Sequence, residues 1–183
     1  MAFDTLIAFA GVYPDLESAE KDYDLVKELH SKEGLMDAFD AAVIHRREDG
    51  KVKITRKHET PTRVGGVLGA GTGLATGLVV ALFPFAAVGG GLLLAASGGG
   101  AVLGAVAGHA AAGMSRDDLK ELGESLDKGE AGLVVVGVMD MEARIEESMR
   151  HSEKLEKKQL KADVEALEQD AKEATEATNA TGQ

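Results

Sequence analysis

Residues 64–83 read VGGVLGAGTGLATGLVVALF and residues 92–112 read LLLAASGGGAVLGAVAGHAAA. From Val64 to Gly108 there is no Asp, Glu, Lys or Arg, although 28% of the chain is charged. On helical spacing Gly65, Gly69, Gly73 and Gly77 form one flat stripe with Thr72 and Thr76 beside it, and Ala96, Gly100, Gly104, Gly108 and Ala112 form a second. A glycine inside a helix costs roughly 1 kcal/mol relative to alanine, so two such stripes imply that close backbone approach returns more than that. Helices paired in lipid use the same small-residue stripes. Between the stripes, Phe83-Pro84-Phe85 and Gly89-Gly90-Gly91 interrupt the helical pattern and mark the tip of a hairpin.

A helix over residues 64–83 would be roughly 30 Å long, the thickness of a bilayer's hydrocarbon core. Its flanks are basic. Arg46, Arg47, Lys51, Lys53, Arg56, Lys57 and Arg63 precede the hairpin, and Arg116 and Lys120 follow it. Cations at both ends predict that both face the cytoplasm, as a hairpin requires, with Arg46, Arg47, Lys53, Arg56, Lys57, Arg63 and Arg116 able to touch anionic headgroups. The tip carries no polar side chain to hold it in water on the far side, so a hairpin that dips into the bilayer and returns is a variant of the same reading. The alternative is a soluble homo-oligomer that buries the hairpins in a shared core, with room for an apolar ligand. An isolated monomer exposing so much apolar surface is not expected.

Outward from the hairpin, Leu6-Ile7-Ala8-Phe9-Ala10 reads as a buried central strand. Asp15 then caps a helix whose face is Leu16, Ala19, Tyr23, Val26 and Leu29, ended by Gly34. Phe39 to Glu48 and Val52 to His58 read as strands joined at Asp49-Gly50. Beyond the hairpin, Ser115 caps a short helix through Leu119, Leu122 and Leu126, and Gly132 to Val138 is a second strand fit for the middle of a sheet. Strand, helix, strand, strand, helix, strand predicts an α+β fold, a ferredoxin-like βαββαβ sandwich with the glycine-zipper helical hairpin inserted between the third strand and the second helix. The domain is then formed by residues 1–62 and 115–139, with the hairpin at 63–114. Residues 140–183 read as a charged helical tail with a disordered end. In it Leu160, Val164, Leu167, Ala171 and Ala174 make a weak heptad seam, suited to a helix lying on its own sheet or to a coiled coil.

The 183 residues carry a net charge of −11 and a pI near 4.9, which excludes nucleic acid as the main partner. There is no cysteine, hence no disulfide and no thiolate metal site. Met1-Ala2-Phe3-Asp4 lacks the basic start and apolar core of a signal peptide, so export by that route is not expected. Gly71-Thr72-Gly73-Leu74-Ala75-Thr76-Gly77 resembles a dinucleotide-binding turn, but no strand leads into it and no carboxylate follows at the ribose distance, so no cofactor is expected. The histidines at 30, 45, 58, 109 and 151 have no paired ligand spacing, so no metal is expected either. His109, beside the second stripe, reads as an interface residue or as a pH-sensitive gate. No serine stands with a histidine and a carboxylate at catalytic spacing, and the chain does not read as an enzyme.

Five stretches carry a family likeness: Asp4-Thr5-Leu6-Ile7-Ala8, Phe39-Asp40-Ala41-Ala42-Val43-Ile44, Lys57-His58-Glu59-Thr60-Pro61-Thr62-Arg63 entering the hairpin, Gly113-Met114-Ser115-Arg116-Asp117-Asp118-Leu119-Lys120 leaving it, and Leu133-Val134-Val135-Val136. Through them the chain resembles a bacterial family of uncharacterised, glycine-rich (glycine-zipper) membrane-associated proteins known only as a domain of unknown function. The resemblance covers roughly residues 4–140 and implies a small domain around a glycine-zipper hairpin, with no catalytic residues to carry over. The expectation is therefore a non-enzymatic, self-associating protein of the inner membrane with its folded domain in the cytoplasm, in a role such as scaffold, stress protein or small pore. The soluble homo-oligomer, in the cytoplasm, and a ligand-sensing module are the alternatives.

Overall fold

Strand β1 (Asp4–Tyr13) is apolar on both of its faces, and both are covered. The computed structural model describes residues 4–33, 39–48, 51–58, 75, 78–79, 82–83, 87–88, 91–92 and 114–162. After β1 come α1 (Leu16–Glu33), β2 (Phe39–Arg46), β3 (Val52–His58), and two short strands, β4 (Ala87–Val88) and β5 (Gly91–Leu92). Then follow α2 (Arg116–Leu126), β6 (Ala131–Val138), a 3-10 turn (Met139–Met141), α3 (Glu142–Ser148) and β7 (Lys154–Ala162). The strands form one sheet in the order β5-β4-β3-β2-β6-β1-β7. Its body, from β3 to β7, is antiparallel, and β4 joins β3 in parallel.

The mixed α+β class is as the sequence predicts, but the strand order is not ferredoxin-like. In a ferredoxin-like sheet the third strand lies between the first and second; here β6 does, pairing with β1 on one side and β2 on the other. Helices also cover both faces instead of one. On the first face Leu6, Ala8, Ala10 and Val12 of β1, Ala42 and Ile44 of β2, and Val134 and Val136 of β6 meet Leu122 and Leu126 of α2. On the second, Ile7, Phe9, Val43, Leu133 and Val135 meet Ala19, Tyr23 and Val26 of α1 and Ile145 of α3. Continuous apolar runs in β1, β2 and β6 are the cause, because a strand with no polar side must be buried twice. Helix α2 lies close on its face: a Cβ at Gly132 would stand 2.8 Å from a Leu126 methyl and 2.9 Å from Ile44.

A bulge re-aims one cation. Val43 faces Arg56 and Ile44 faces Ile54, so Thr55 is the extra residue of β3, its hydroxyl donating to the Val43 carbonyl at 3.4 Å. The slip turns Arg56 onto the α1 face, where its guanidinium stands 4.5 Å from the Tyr23 ring centre and 2.8 Å from Asp24.

The charged tail is not a continuous helix. Glu142–Ser148 is helical, but Lys154–Ala162 is an edge strand paired with β1 from Asp4↔Ala162 to Val12↔Lys154, so Leu160 belongs to a strand and not to a heptad seam. Val164, Leu167, Ala171 and Ala174 lie outside the described residues. Alternation along β7 sends Lys157 to Glu142 and Glu146 of α3, each at 2.8 Å, and Lys158 to Glu121 and Asp118 of α2 on the other face, at 2.6 and 3.3 Å. A charged edge strand thus has the composition of a solvated helix, which is why composition misreads it.

Both predicted caps form. Asp15 accepts the Ser18 N–H at 2.7 Å, and Ser115 accepts the Asp118 N–H at 3.0 Å while donating its hydroxyl to the Asp118 carboxylate. The Ser18 N–H holds Asp15 below the usual carboxylate range, and the Ser115 hydroxyl, with Lys158, does so for Asp118. A carboxylate whose native pKa is lowered contributes stability that is complete above its unfolded value, about 4, and is lost as pH falls through the native value. Melting temperature is therefore expected to drop on acidification below about pH 4, and Asp118→Asn to be less acid-sensitive than the parent over the same titration. Equal acid sensitivity of the two proteins would remove Asp118 from the account.

Candidate functional site

The charge-free segment meets the sheet on the face that carries α2. Ala75, Leu78, Val79 and Leu82 follow the spacing of one helical face, their backbone is helical, and the Phe83 N–H donates to the Val79 carbonyl at 2.8 Å. Ala75, Leu78 and Val79 are 0–1% exposed. They share a cluster with Ile44, Val52 and Ile54 of the sheet and Leu122 and Leu126 of α2, and Leu82 and Phe83 pack against its margin. Arm and α2 run side by side at Gly123, where a Cβ would stand 3.7 Å from a Leu82 methyl. This stretch of the arm serves as a core element of its own domain.

Past Phe83 the chain returns to the sheet. Ala87 and Val88 face Lys53 and Ile54 of β3, and Gly91 and Leu92 turn back on β4. The segment from Phe83 to Gly91, expected at a distal hairpin tip, therefore holds strands hydrogen-bonded at the sheet edge. None of the described helices is long and apolar enough to cross a membrane. Gly65, Gly69, Gly73, Gly77, Ala96, Gly100, Gly104, Gly108, Ala112 and His109 lie outside the described residues, as does Arg63.

The remaining cations expected at headgroups do not form one surface. Arg46 pairs with Asp127 at 2.7 Å and Arg56 with Asp24 on the α1 face. Arg47 is exposed where β2 turns into β3, its N–H bonded to the Lys51 carbonyl. Lys53 and Lys57 lie on β3, and Arg116 opens α2, which covers the opposite face from α1.

One cluster escaped the sequence reading. Asp22 is 0% exposed inside the apolar stripe of α1, and its Oδ2 accepts the Tyr13 hydroxyl at 2.9 Å and the His151 backbone N–H at 2.8 Å. Its Oδ1 is paired with Nδ1 of His151, whose side chain is 42% exposed. Burial, then the negative charge of Asp22, pushes the Tyr13 phenol well above its ordinary range, so it stays a donor at any physiological pH. The cluster ties β1 and α1 to the turn between α3 and β7. A carboxylate in the spacing Ala19, Asp22, Tyr23, Val26 is the signal that was there to be read, since a charge on a buried stripe needs partners. Among the described residues no three His, Asp or Glu side chains are grouped to hold a metal ion.

Residues 66–172 match the family described as a protein of unknown function, DUF1269, more than half of the 183 residues. The chain belongs to the DUF1269 family. The matched region takes in the arm, α2, β6, α3 and β7, so it starts later and ends later than the resemblance seen in the sequence. It leaves out β1 and β2, the two strands between which this DUF1269 chain inserts β6. No curated protein matches the chain, and no solved structure does.

Proposed function

We propose that this DUF1269 chain is a non-enzymatic, self-associating protein that joins copies through its glycine-rich segment and roots that segment in its own core. One observation carries the reading: Ala75, Leu78 and Val79 are buried on the sheet beside α2. On helical spacing Gly73 and Gly77 fall half a turn away from that row, and glycine there would let a second helix approach closely. A charge-free segment with one side occupied and the other lined by glycine suits helix pairing between copies better than life as a monomer. The pairing of Ala87 and Val88 with β3 favours an assembly formed in water over a hairpin with a distant tip. A second reading, a membrane-associated oligomer with the folded domain in the cytoplasm, is favoured by the absence of charge from Val64 to Gly108.

Carbonate washing of membranes from expressing cells separates the two: the first expects release, and retention supports the second. Light scattering of the purified protein should give a mass of several chains, reduced in Gly69→Leu/Gly73→Leu. An unchanged mass in that variant would sink the role of the stripe in either solvent.

A further inference from the structure

His151 turns one ring nitrogen to the core and the other to solvent. Asp22 Oδ2 accepts the Tyr13 hydroxyl at 2.9 Å and the His151 backbone N–H at 2.8 Å, and Oδ1 is paired with Nδ1 of the same histidine. An ionised carboxylate only accepts, so the hydrogen between Oδ1 and Nδ1 sits on the ring. The neutral imidazole is thereby held as the tautomer whose Nε2 keeps its lone pair. Asp22 is fully buried while the His151 side chain is 42% exposed, so the open edge of the ring is the one away from Nδ1, with Nε2 on it. His45 has no such backing: its Nε2 stands 3.9 Å from Glu130, beyond hydrogen-bond reach. Arg150, next in the chain, is exposed, makes no ion pair among the described residues, and lines the open cleft between α1 and α3. Leu25 and Leu29 of that cleft continue the line of Asp22 along α1, so the cleft opens one helical turn from the imidazole.

We infer that His151 is a phosphoryl-acceptor site, its Nε2 taking the group from a small acyl phosphate that approaches from the side of Arg150. The Nε2 lone pair forms the N–P bond, and the P–O bond to the acyl group breaks with its electron pair leaving on the carboxylate product. No proton has to depart. The ring becomes an N-phosphorylated imidazolium whose Nδ1–H still donates to Asp22, and the buried carboxylate offsets the charge that develops on the ring. Asp22 is thus a positioning residue for a nucleophile of the kind that adjacent bases and charges activate. Arg150 supplies the cation that an anionic donor needs at the surface of a chain with a net charge of −11. A transferred phosphoryl group would then stand on the turn that carries α3 into β7. The site is independent of how copies associate.

The other histidines, His30, His45, His58 and His109, are internal references. With acetyl phosphate as the donor and peptide mapping under non-acidic handling, His151 of the folded full chain should be labelled about tenfold faster than any of them, the low end of what a carboxylate behind a working imidazole contributes. In concentrated urea, where no histidine keeps a fixed partner, that lead should vanish. Asp22→Asn should slow labelling of His151 about tenfold, whereas Tyr13→Phe, which leaves the carboxylate behind the ring, should react near the parent rate. Arg150→Gln should slow the reaction with acetyl phosphate and leave that with uncharged diethyl pyrocarbonate unchanged. Thermal melts check that each variant is folded at the temperature used. Equal labelling of all the histidines in the folded parent, or a lead that persists in urea, would overturn the inference. A His151 that reacts with diethyl pyrocarbonate but not with acetyl phosphate would overturn the phosphoryl assignment.

Discussion

Asp22→Ala is expected to lower the unfolding free energy by about 3 kcal/mol, because it strands donors that its carboxylate now satisfies. For a chain of this size that corresponds to a fall in melting temperature of roughly 6–12 °C. The Tyr13 hydroxyl is buried and has no water to turn to, and the His151 backbone N–H lies in the turn that delivers β7 to the edge of β1. Tyr13→Phe removes only one neutral donor and leaves the carboxylate its other partners, so about 1 kcal/mol is expected. Asp22→Asn keeps the shape but leaves one uncharged acceptor oxygen and turns an NH2 donor toward the partners of the other oxygen, and should fall between the two. Urea unfolding of the three variants gives the order. An Asp22→Ala protein within about 1 kcal/mol of the parent would mean that the cluster is not the anchor its geometry describes.

Leu78→Asp is expected to cost about 4 kcal/mol or more, since it removes a fully buried leucine and asks a carboxylate to take its place among Ile54, Leu122 and Leu126. Leu78→Ala, which leaves only a cavity, should cost about 3 kcal/mol. The pair decides whether the arm belongs to the fold. If residues 75–83 met only lipid or another chain, neither change would move the urea midpoint of the domain. Both should move it, and the aspartate variant should also bind more of a dye that reports exposed apolar surface. Midpoints that coincide with the parent's would detach the arm from the sheet and return residues 64–83 to the reading of an inserted helix.

The local features were legible because their causes are local. Asp15 and Ser115 announce helix starts by offering an oxygen to the free N–H groups of a first turn, and both do so. The apolar runs of β1 and β6 announce strands buried on two sides, which already argued against a ferredoxin-like sheet with one open face. Arg56 could not be placed, because its side depends on a bulge at Thr55 that no spacing rule reveals. Lys154–Ala162 could not be separated from a solvated helix by composition, since both expose lysine and glutamate. His151 found its partner 129 residues away in Asp22, although Asp22 itself stood out on an apolar stripe.

The sequence by itself determined that this chain is α+β, where its helices begin, which strands must be buried twice, and that one long segment carries no charge. Those follow from periodicity, capping chemistry and burial, each set within a turn or two of the residue concerned. Only the tertiary structure decided that β6 and not β3 separates β1 from β2, that the charged stretch closes the sheet as β7, and that Ala75, Leu78 and Val79 join α2 in covering its first face. These are choices among partners of nearly equal apolar character, and they are made by the geometry of the whole sheet, because a strand or a helix carries no local mark of which neighbour will cover it.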